Sequence, residues 1–184
     1  MIIIQDTREK VGHKNHILKY FEKHNIQVIR QKLNVGDYAI QGFENVAVID
    51  TKQDLVEFAG NLFSDSVRFQ KECIRAKNNG VLLIFLIEQK IDTKQDLLKW
   101  HSPKDVNGKR FLNVQGWQIY KEMQKYSTLF GCKFRFCHKN GTGKMIIDLL
   151  EKYTKQKQDW NISCFFIGCY MVVGKLLKIK NKKS

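Results

Sequence analysis

Proline is almost missing from this chain: Pro103 is the single one in 184 residues. Twelve glycines are scattered along it. That composition excludes a Pro-rich linker, a collagen-like array and a low-complexity chain. Acids are scarce beside bases, 18 Asp+Glu against 32 Lys+Arg, for a formal net charge of +14. An imbalance of that size favours a polyanionic partner, nucleic acid being the commonest; solubility or attraction to an anionic membrane are the bland readings. Long apolar runs are also lacking. The largely apolar stretch 162–174 is thirteen residues, short of the roughly 20 that span a bilayer. At the start, Met1-Ile2-Ile3-Ile4 meets Gln5-Asp6 at once, so no secretory h-region develops. Five cysteines, an odd number, read as reduced intracellular thiols, not a disulfide framework.

Two familiar ligand patterns are missing as well. Cys132-x4-Cys137-His138 offers three possible zinc ligands at a spacing that matches no standard site. Core thiols on a strand are the expected role. Gly141-Thr142-Gly143-Lys144 lacks the Gly-x4-Gly-Lys-Ser/Thr frame of a P-loop.

What is present is a periodic pattern for one domain, 43% hydrophobic, enough for a full core. Ile2–Ile4, Val28–Leu33, Val46–Thr51, Val81–Glu88 and Lys133–Cys137 read as strands. Asn15–Lys23, a stripe from Leu55 through Leu62 to Phe69, Cys73 and Ala76, Val114–Leu129 and Gly143–Lys152 read as helices. Such alternation implies an α/β layer fold. The continuous apolar run 81–88 suits a strand covered on both faces, expected at the centre between the acid-bearing strands. Residues 1–152 form the expected domain. The tail 153–184 turns apolar and then Lys-rich; a packed helix is the first reading, with an interfacial segment or a dimer contact as the others.

The chemistry-bearing pattern is Gly36-Asp37-Tyr38 followed by Asp50-Thr51-Lys52 at the end of Val46–Ile49. Residues i and i+2 of a strand share a face, so Asp50 and Lys52 face one site. Asp37 joins them if Lys32–Ile40 and Val46–Thr51 form a hairpin. Carboxylates of this kind hold Mg²⁺, which polarises a phosphate and activates water. A lysine adds positive charge where charge develops. The hexapeptide Asp-Thr-Lys-Gln-Asp-Leu occurs at both Asp50–Leu55 and Asp92–Leu97. The flanks differ, so this is no structural repeat, and the chemistry is assigned to the first copy. The second opens a loop, Asp92–Arg110, in which Lys94, Lys99, Trp100, His101 and Lys104 either touch DNA or form a solvated loop with Trp100 in the core.

These motifs, in order, resemble the XPF-type nuclease family of the restriction-endonuclease-like group over roughly residues 2–150. Ile4-Gln5-Asp6-Thr7-Arg8-Glu9 is similar to the family's Val-Asp-x-Arg-Glu opening, Gly36-Asp37-Tyr38 to its Gly-Asp-Tyr, and Asp50-Thr51-Lys52 to its Glu-Arg-Lys. Arg68 resembles the arginine after the first core helix, and Leu83–Glu88 the central strand ending in Ile-Glu. The size, and Phe134–Cys137 followed by Gly141–Ile147, are most similar to small phage-encoded members. The resemblance implies a PD-(D/E)xK three-layer core with a mixed sheet. It implies an endonuclease cutting branched, flapped or junction DNA with Mg²⁺ or Mn²⁺, in repair or recombination, usually as a dimer. Asp37 and Asp50 would be metal ligands with Asp6 beside them, Lys52 the catalytic lysine, and Arg8 and Arg68 phosphate contacts or braces; Lys94 and Lys104 are expected DNA contacts from their place in the loop alone. A helix cap with its first-turn charges is the bland reading of Asp6–Glu9.

The pattern departs from the family at three places. Asp50 replaces glutamate and Thr51 replaces arginine. Val56 stands where the family has an acid, leaving Asp54 or Glu57 as substitutes. No helix-hairpin-helix unit follows residue 150. The alternative function on the same fold is a catalytically inactive DNA-binding or scaffold subunit; a membrane role for the tail is the third.

Overall fold

A computed structural model describes residues 1–9, 12, 14–103 and 112–157. Lys104 and residues 158–184 of the tail lie outside the described residues.

Short apolar strands and amphipathic helices alternate along the chain. β1 (Ile2–Gln5) leads through α1 (Asn15–Lys23) to β2 (Gln27–Arg30), which pairs with β1 in parallel. β3 (Tyr38–Ile40) lies antiparallel on the other side of β1 and continues through the 41–46 turn into antiparallel β4 (Ala47–Lys52). α2 (Leu55–Phe63) and α3 (Ser66–Asn78) cross over to β5 (Leu82–Ile87), parallel to β4. α4 (Lys94–Lys99) and α5 (Gly116–Phe130) cross to β6 (Lys133–Phe136), parallel to β5. A helix over residues 142–157, α6, follows a short 3-10 turn. The strands form one mixed sheet in the order β2-β1-β3-β4-β5-β6.

Period-2 alternation divides the sheet between two cores. Val48, Leu83, Phe85, Ile87 and Phe134 pack under α2, α3 and α5, against Phe58, Phe69, Cys73 and Tyr126. Ile3, Tyr38, Ile49, Ile84 and Leu86 pack under α1 and α6, against Ile17, Phe21, Ile146 and Leu150. The result is the three-layer α/β core that the sequence pattern implies. Cys132 belongs to the first core and Cys137 packs against the second. The two thiols thus serve opposite faces of the sheet.

Several expectations change in detail. The central strand β5 is flanked by β4 and β6, so only one neighbour carries a catalytic-type acid. Asp37 lies on the far side of β4, because the short 41–46 turn pairs β3 with β4 and not with β5. The strand expected over Val28–Leu33 ends at Arg30, because the chain bends so that the Leu33 N–H reaches the Asp6 carboxylate at 2.6 Å. The stripe from Leu55 to Ala76 is two helices broken at Ser64-Asp65, where both N–H groups return to the Gly60 carbonyl. Ser and Asp favour such breaks because their side chains compete with helical hydrogen bonds. α6 runs past the expected boundary at 152, its Thr154 hydroxyl donating back to the Leu150 carbonyl. Trp100 is half-buried against the first core. No helix among the described residues is long and apolar enough to cross a membrane.

Candidate active site

The face of β4 that carries Val48 into the first core carries Asp50 and Lys52 into a cavity of about 570 Å³. Side chains of β1's exit, the β3 entry, β4, α2 and α3 line it. Asp50 is 4% exposed. Lys52 Nζ stands 2.5 Å from Asp50 Oδ1, a buried ion pair and the only partner of that oxygen among the described residues. Burial pushes the Asp50 carboxyl well above the usual carboxylate range; Lys52 pulls the other way and the Asp37 carboxylate adds to the rise. Burial also works against the Lys52 charge, but Asp50 and Asp37 outweigh it and hold the ammonium above its ordinary value. The lysine is thus held as an ammonium beside the acids.

Asp37 enters from the turn before β3, and its backbone N–H donates to the Ile49 carbonyl at 2.7 Å. Its Oδ2 accepts from the Thr51 N–H at 2.9 Å and the Thr51 hydroxyl at 2.6 Å. The acids of the two segments thus sit on one patch, as the hairpin reading required. A further lysine shares the patch. Lys14, at the start of α1, donates to Asp37 Oδ2 at 3.3 Å, Glu9 Oε2 at 3.3 Å, the Thr51 carbonyl at 3.2 Å and the Thr51 hydroxyl at 2.5 Å. It is 8% exposed. Burial opposes its charge, and Asp37, Glu9 and Asp50 together overcome that and raise its pKa.

Asp6 leaves the end of β1 at the cavity wall, but its carboxylate is engaged. Oδ1 accepts from the Arg8 N–H at 2.7 Å and Arg8 Nε at 2.8 Å; Oδ2 accepts from Arg8 Nη2 at 2.9 Å and the Leu33 N–H at 2.6 Å. Burial alone would raise its pKa; these donors outweigh it and hold the carboxyl below the usual range. Asp6 and Arg8 therefore form a brace, and Arg8 also donates to the Leu33 carbonyl at 2.9 Å.

Arg68 and Arg75 project from α3 into the same cavity. Arg68 Nε contacts Asp65 at 2.5 Å and the side chain is 77% exposed. Of the two candidate substitutes for the family acid, Glu57 lines the cavity. Asp54 instead caps α2, accepting from the Glu57 N–H at 2.8 Å. Lys94 is not in the cavity wall: its ammonium lies 4.4 Å above the Tyr120 ring. Thr93, beside it, caps α4 in a reciprocal box with Asp96.

Reading the sequence missed Lys14, Glu72 and Arg75. Glu72 Oε1 accepts from the Gly36 N–H at 3.0 Å and so fixes the turn that delivers Asp37. A signal for Lys14 existed. A lysine at a helix N-cap opposes the macrodipole, and α1 has neither an acid in its first turn nor a side-chain cap. A broken local rule of that kind marks a functional position.

The residues fit a hard divalent cation. Asp37, Asp50 and the Thr51 carbonyl are an all-oxygen donor set, and the Asp50 carboxylate is buried in the cavity wall beside Lys52. Among the described residues no three carboxylate, imidazole or thiol groups converge into a ready-made cage. Mg²⁺ commonly takes one or two carboxylates and completes its shell with water and phosphate.

Comparison with known proteins gives the family and the fold. The family model described as ERCC4 domain matches residues 5–149. No curated protein matches the chain in sequence. Among solved structures, XPF from Aeropyrum pernix is similar with a TM-score of 0.58 and 18% identity, over 88% of this chain and 69% of that one. The same protein in complex with DNA is similar with a TM-score of 0.57 and 19% identity, over 84% of this chain and 66% of that one. The chain thus spans about two thirds of those structures, and at these identities the likeness is one of fold.

Proposed function

This chain belongs to the ERCC4-domain family, and on that premise we propose that it is a divalent-metal-dependent endonuclease acting on branched DNA. The observation that carries the reading is Asp50. A buried carboxylate, paired only with Lys52, stands on one patch with Asp37 in a cavity rimmed by arginines. Asp37, Asp50 and the Thr51 carbonyl would hold Mg²⁺ or Mn²⁺. That ion would supply a Lewis acid for the phosphate and a lowered pKa for water.

The chain's own residues do the rest. Lys52 places a permanent positive charge beside Asp50, where a scissile phosphate gains charge in the transition state. Arg8, held rigid by Asp6, and Arg68 and Arg75 on α3 offer guanidinium groups to the phosphates on either side. Thr51 orients Asp37 through its N–H and hydroxyl. Lys94 is exposed at the start of α4, and it and Lys104 remain proposed outer DNA contacts. The +14 charge suits backbone binding that is independent of sequence and sensitive to salt.

Branched DNA and a second copy of the chain come to this proposal from the family resemblance. Val67 and Ile74, exposed on α3 two turns apart, are apolar surface available to a dimer. Sedimentation as a monomer at micromolar concentration would remove the dimer. An intracellular setting belongs to the same reading, since Cys73, Cys132 and Cys137 are free thiols of the kind a reducing compartment preserves.

The second reading is a DNA-binding subunit that does not cut. Its support is Lys14, which already neutralises Asp37 without a metal. One experiment separates the two. Labelled fork, flap, junction and plain duplex are incubated with Mg²⁺ and the native chain, Asp50→Ala or Lys94→Ala. Cutting lost in Asp50→Ala alone supports the nuclease. Binding without cutting by all three supports the inactive subunit.

A further inference from the structure

Lys14 makes four contacts in the acidic patch, and two of its acceptors, Asp37 Oδ2 and the Thr51 carbonyl, are oxygens that the metal reading needs. We propose that Lys14 is the resident cation of this site: its ammonium holds the position of the divalent ion and leaves it when the ion binds. The proposal rests on the metal reading above.

Three features carry it. First, the ammonium is surrounded by oxygen on several sides, from Glu9, Asp37 and both the carbonyl and hydroxyl of Thr51. An ammonium has three protons and no lone pair, so these oxygens together hold a cation. Second, the side chain is buried where lysine seldom is, and it reaches across from α1 to β4, 37 residues apart in sequence. Third, Lys14 sits at the N-cap of α1, where its charge opposes the helix dipole and no first-turn acid offsets it. A position that is poor for the helix is occupied by a residue that serves the acids. Lys52 differs: it pairs with one oxygen of Asp50, Oδ1, from the same strand face, and makes no contact with Asp37 or the Thr51 carbonyl that would stand in the ion's place.

A divalent ion and an ammonium cannot share the Asp37 and Thr51 oxygens, since like charges at contact distance repel strongly in a half-buried site. Lys14 therefore stabilises the metal-free protein, lowers the apparent affinity for the ion, and moves outward on loading. Its four-carbon stem allows that movement without unwinding α1.

Two measurements on the full chain test this. Mn²⁺ serves as the probe, with free Mn²⁺ read by electron paramagnetic resonance. The native chain is compared with Lys14→Met, which keeps the stem and removes the charge, and with Asp50→Asn. Lys14→Met is expected to bind Mn²⁺ at least about tenfold tighter, and Asp50→Asn more weakly than the native chain. Equal or weaker binding by Lys14→Met, with the native chain binding and Asp50→Asn impaired, overturns the proposal and leaves the metal reading intact. No binding by any of the three overturns the metal reading and this proposal with it. The second measurement needs no variant. Lys14 of the native chain is acetylated with an amine-reactive ester and followed by mass spectrometry. Saturating Mn²⁺ is expected to raise its labelling several-fold, with Lys94 as the internal reference. Unchanged Lys14 labelling overturns the displacement.

Discussion

Asp37 Oδ2 accepts both the backbone N–H and the side-chain hydroxyl of Thr51, at 2.9 and 2.6 Å, so one oxygen ties the β3 turn to the end of β4. The contact sets the spacing of the two acids. Thr51→Val keeps the β-branched shape that a strand favours and removes only the hydroxyl. It is expected to cost about 1 kcal/mol of stability, measured by urea denaturation, and to lower cleavage while leaving DNA affinity nearly unchanged. Native cleavage by Thr51→Val would show that the N–H alone positions Asp37.

Gly36 delivers Asp37 from a backbone conformation, φ +68°, that side chains rarely adopt. A Cβ there would meet Val48 Cγ1 at 2.4 Å and the Ile49 carbonyl oxygen at 3.0 Å. Gly36→Ala is therefore expected to lose about 1–3 kcal/mol and to displace Asp37. Melting temperature and cleavage should fall together, whereas Gly42→Ala, with open space around its Cβ, should spare cleavage.

The Asp6–Arg8 brace gives stability a definite acid dependence. The folded state holds the Asp6 carboxyl below its ordinary value of 3.8, so the unfolded chain binds the proton more readily. The brace contributes fully above that ordinary value and is lost as pH falls through the lowered one. Asp6→Asn is expected to cost about 1–2 kcal/mol near neutral pH. The difference from the native chain should shrink below about pH 4. A constant difference down to pH 2 in thermal melts would contradict the role given to the ionised carboxylate.

Arg75 is an exposed cation on α3 at the cavity rim. If it meets a phosphate, Arg75→Ala should reduce the slope of log affinity against log salt by about 0.9 on duplex DNA. The loss should be similar across sequences, because backbone contacts carry no sequence information. Fluorescence anisotropy between low and moderate salt measures it. An unchanged slope would place DNA elsewhere on the surface.

Much of the site is written in short-range pattern. The alternation of Val48, Asp50 and Lys52 is enough to put the acid and the lysine on one face, because a strand has period two. Gly36-Asp37 announces its turn, and Asp54 followed by Glu57 announces the start of α2. Strand order is another matter. Nothing local to Tyr38–Ile40 says that its other neighbour is β1, since that pairing is made of hydrogen bonds between distant segments. The unfavourable N-cap marks Lys14 in the sequence, but not its partners, because Asp37 and Thr51 are 23 and 37 residues away. The engagement of Asp6 by Arg8 lies within two residues, yet its effect depends on Leu33 closing the second oxygen.

The repeated hexapeptide divides the two kinds of information. By itself the sequence determined that the two copies of Asp-Thr-Lys-Gln-Asp-Leu have different flanks, and it predicts a helix only after the first; the loop expected from Asp92 is instead opened by α4, because Thr93 and Asp96 supply capping oxygens. Tertiary structure decided the rest. In the first copy Asp50-Thr51-Lys52 is drawn into β4 by its pairing with β5, and the cap falls to Asp54. In the second the same letters have no strand to join, Thr93 becomes the cap, and Lys94 lies over Tyr120. The physical reason is that six residues cannot carry the sheet hydrogen bonds that fix a strand. Those come from the neighbouring β5, and with them come the buried carboxylate and the site.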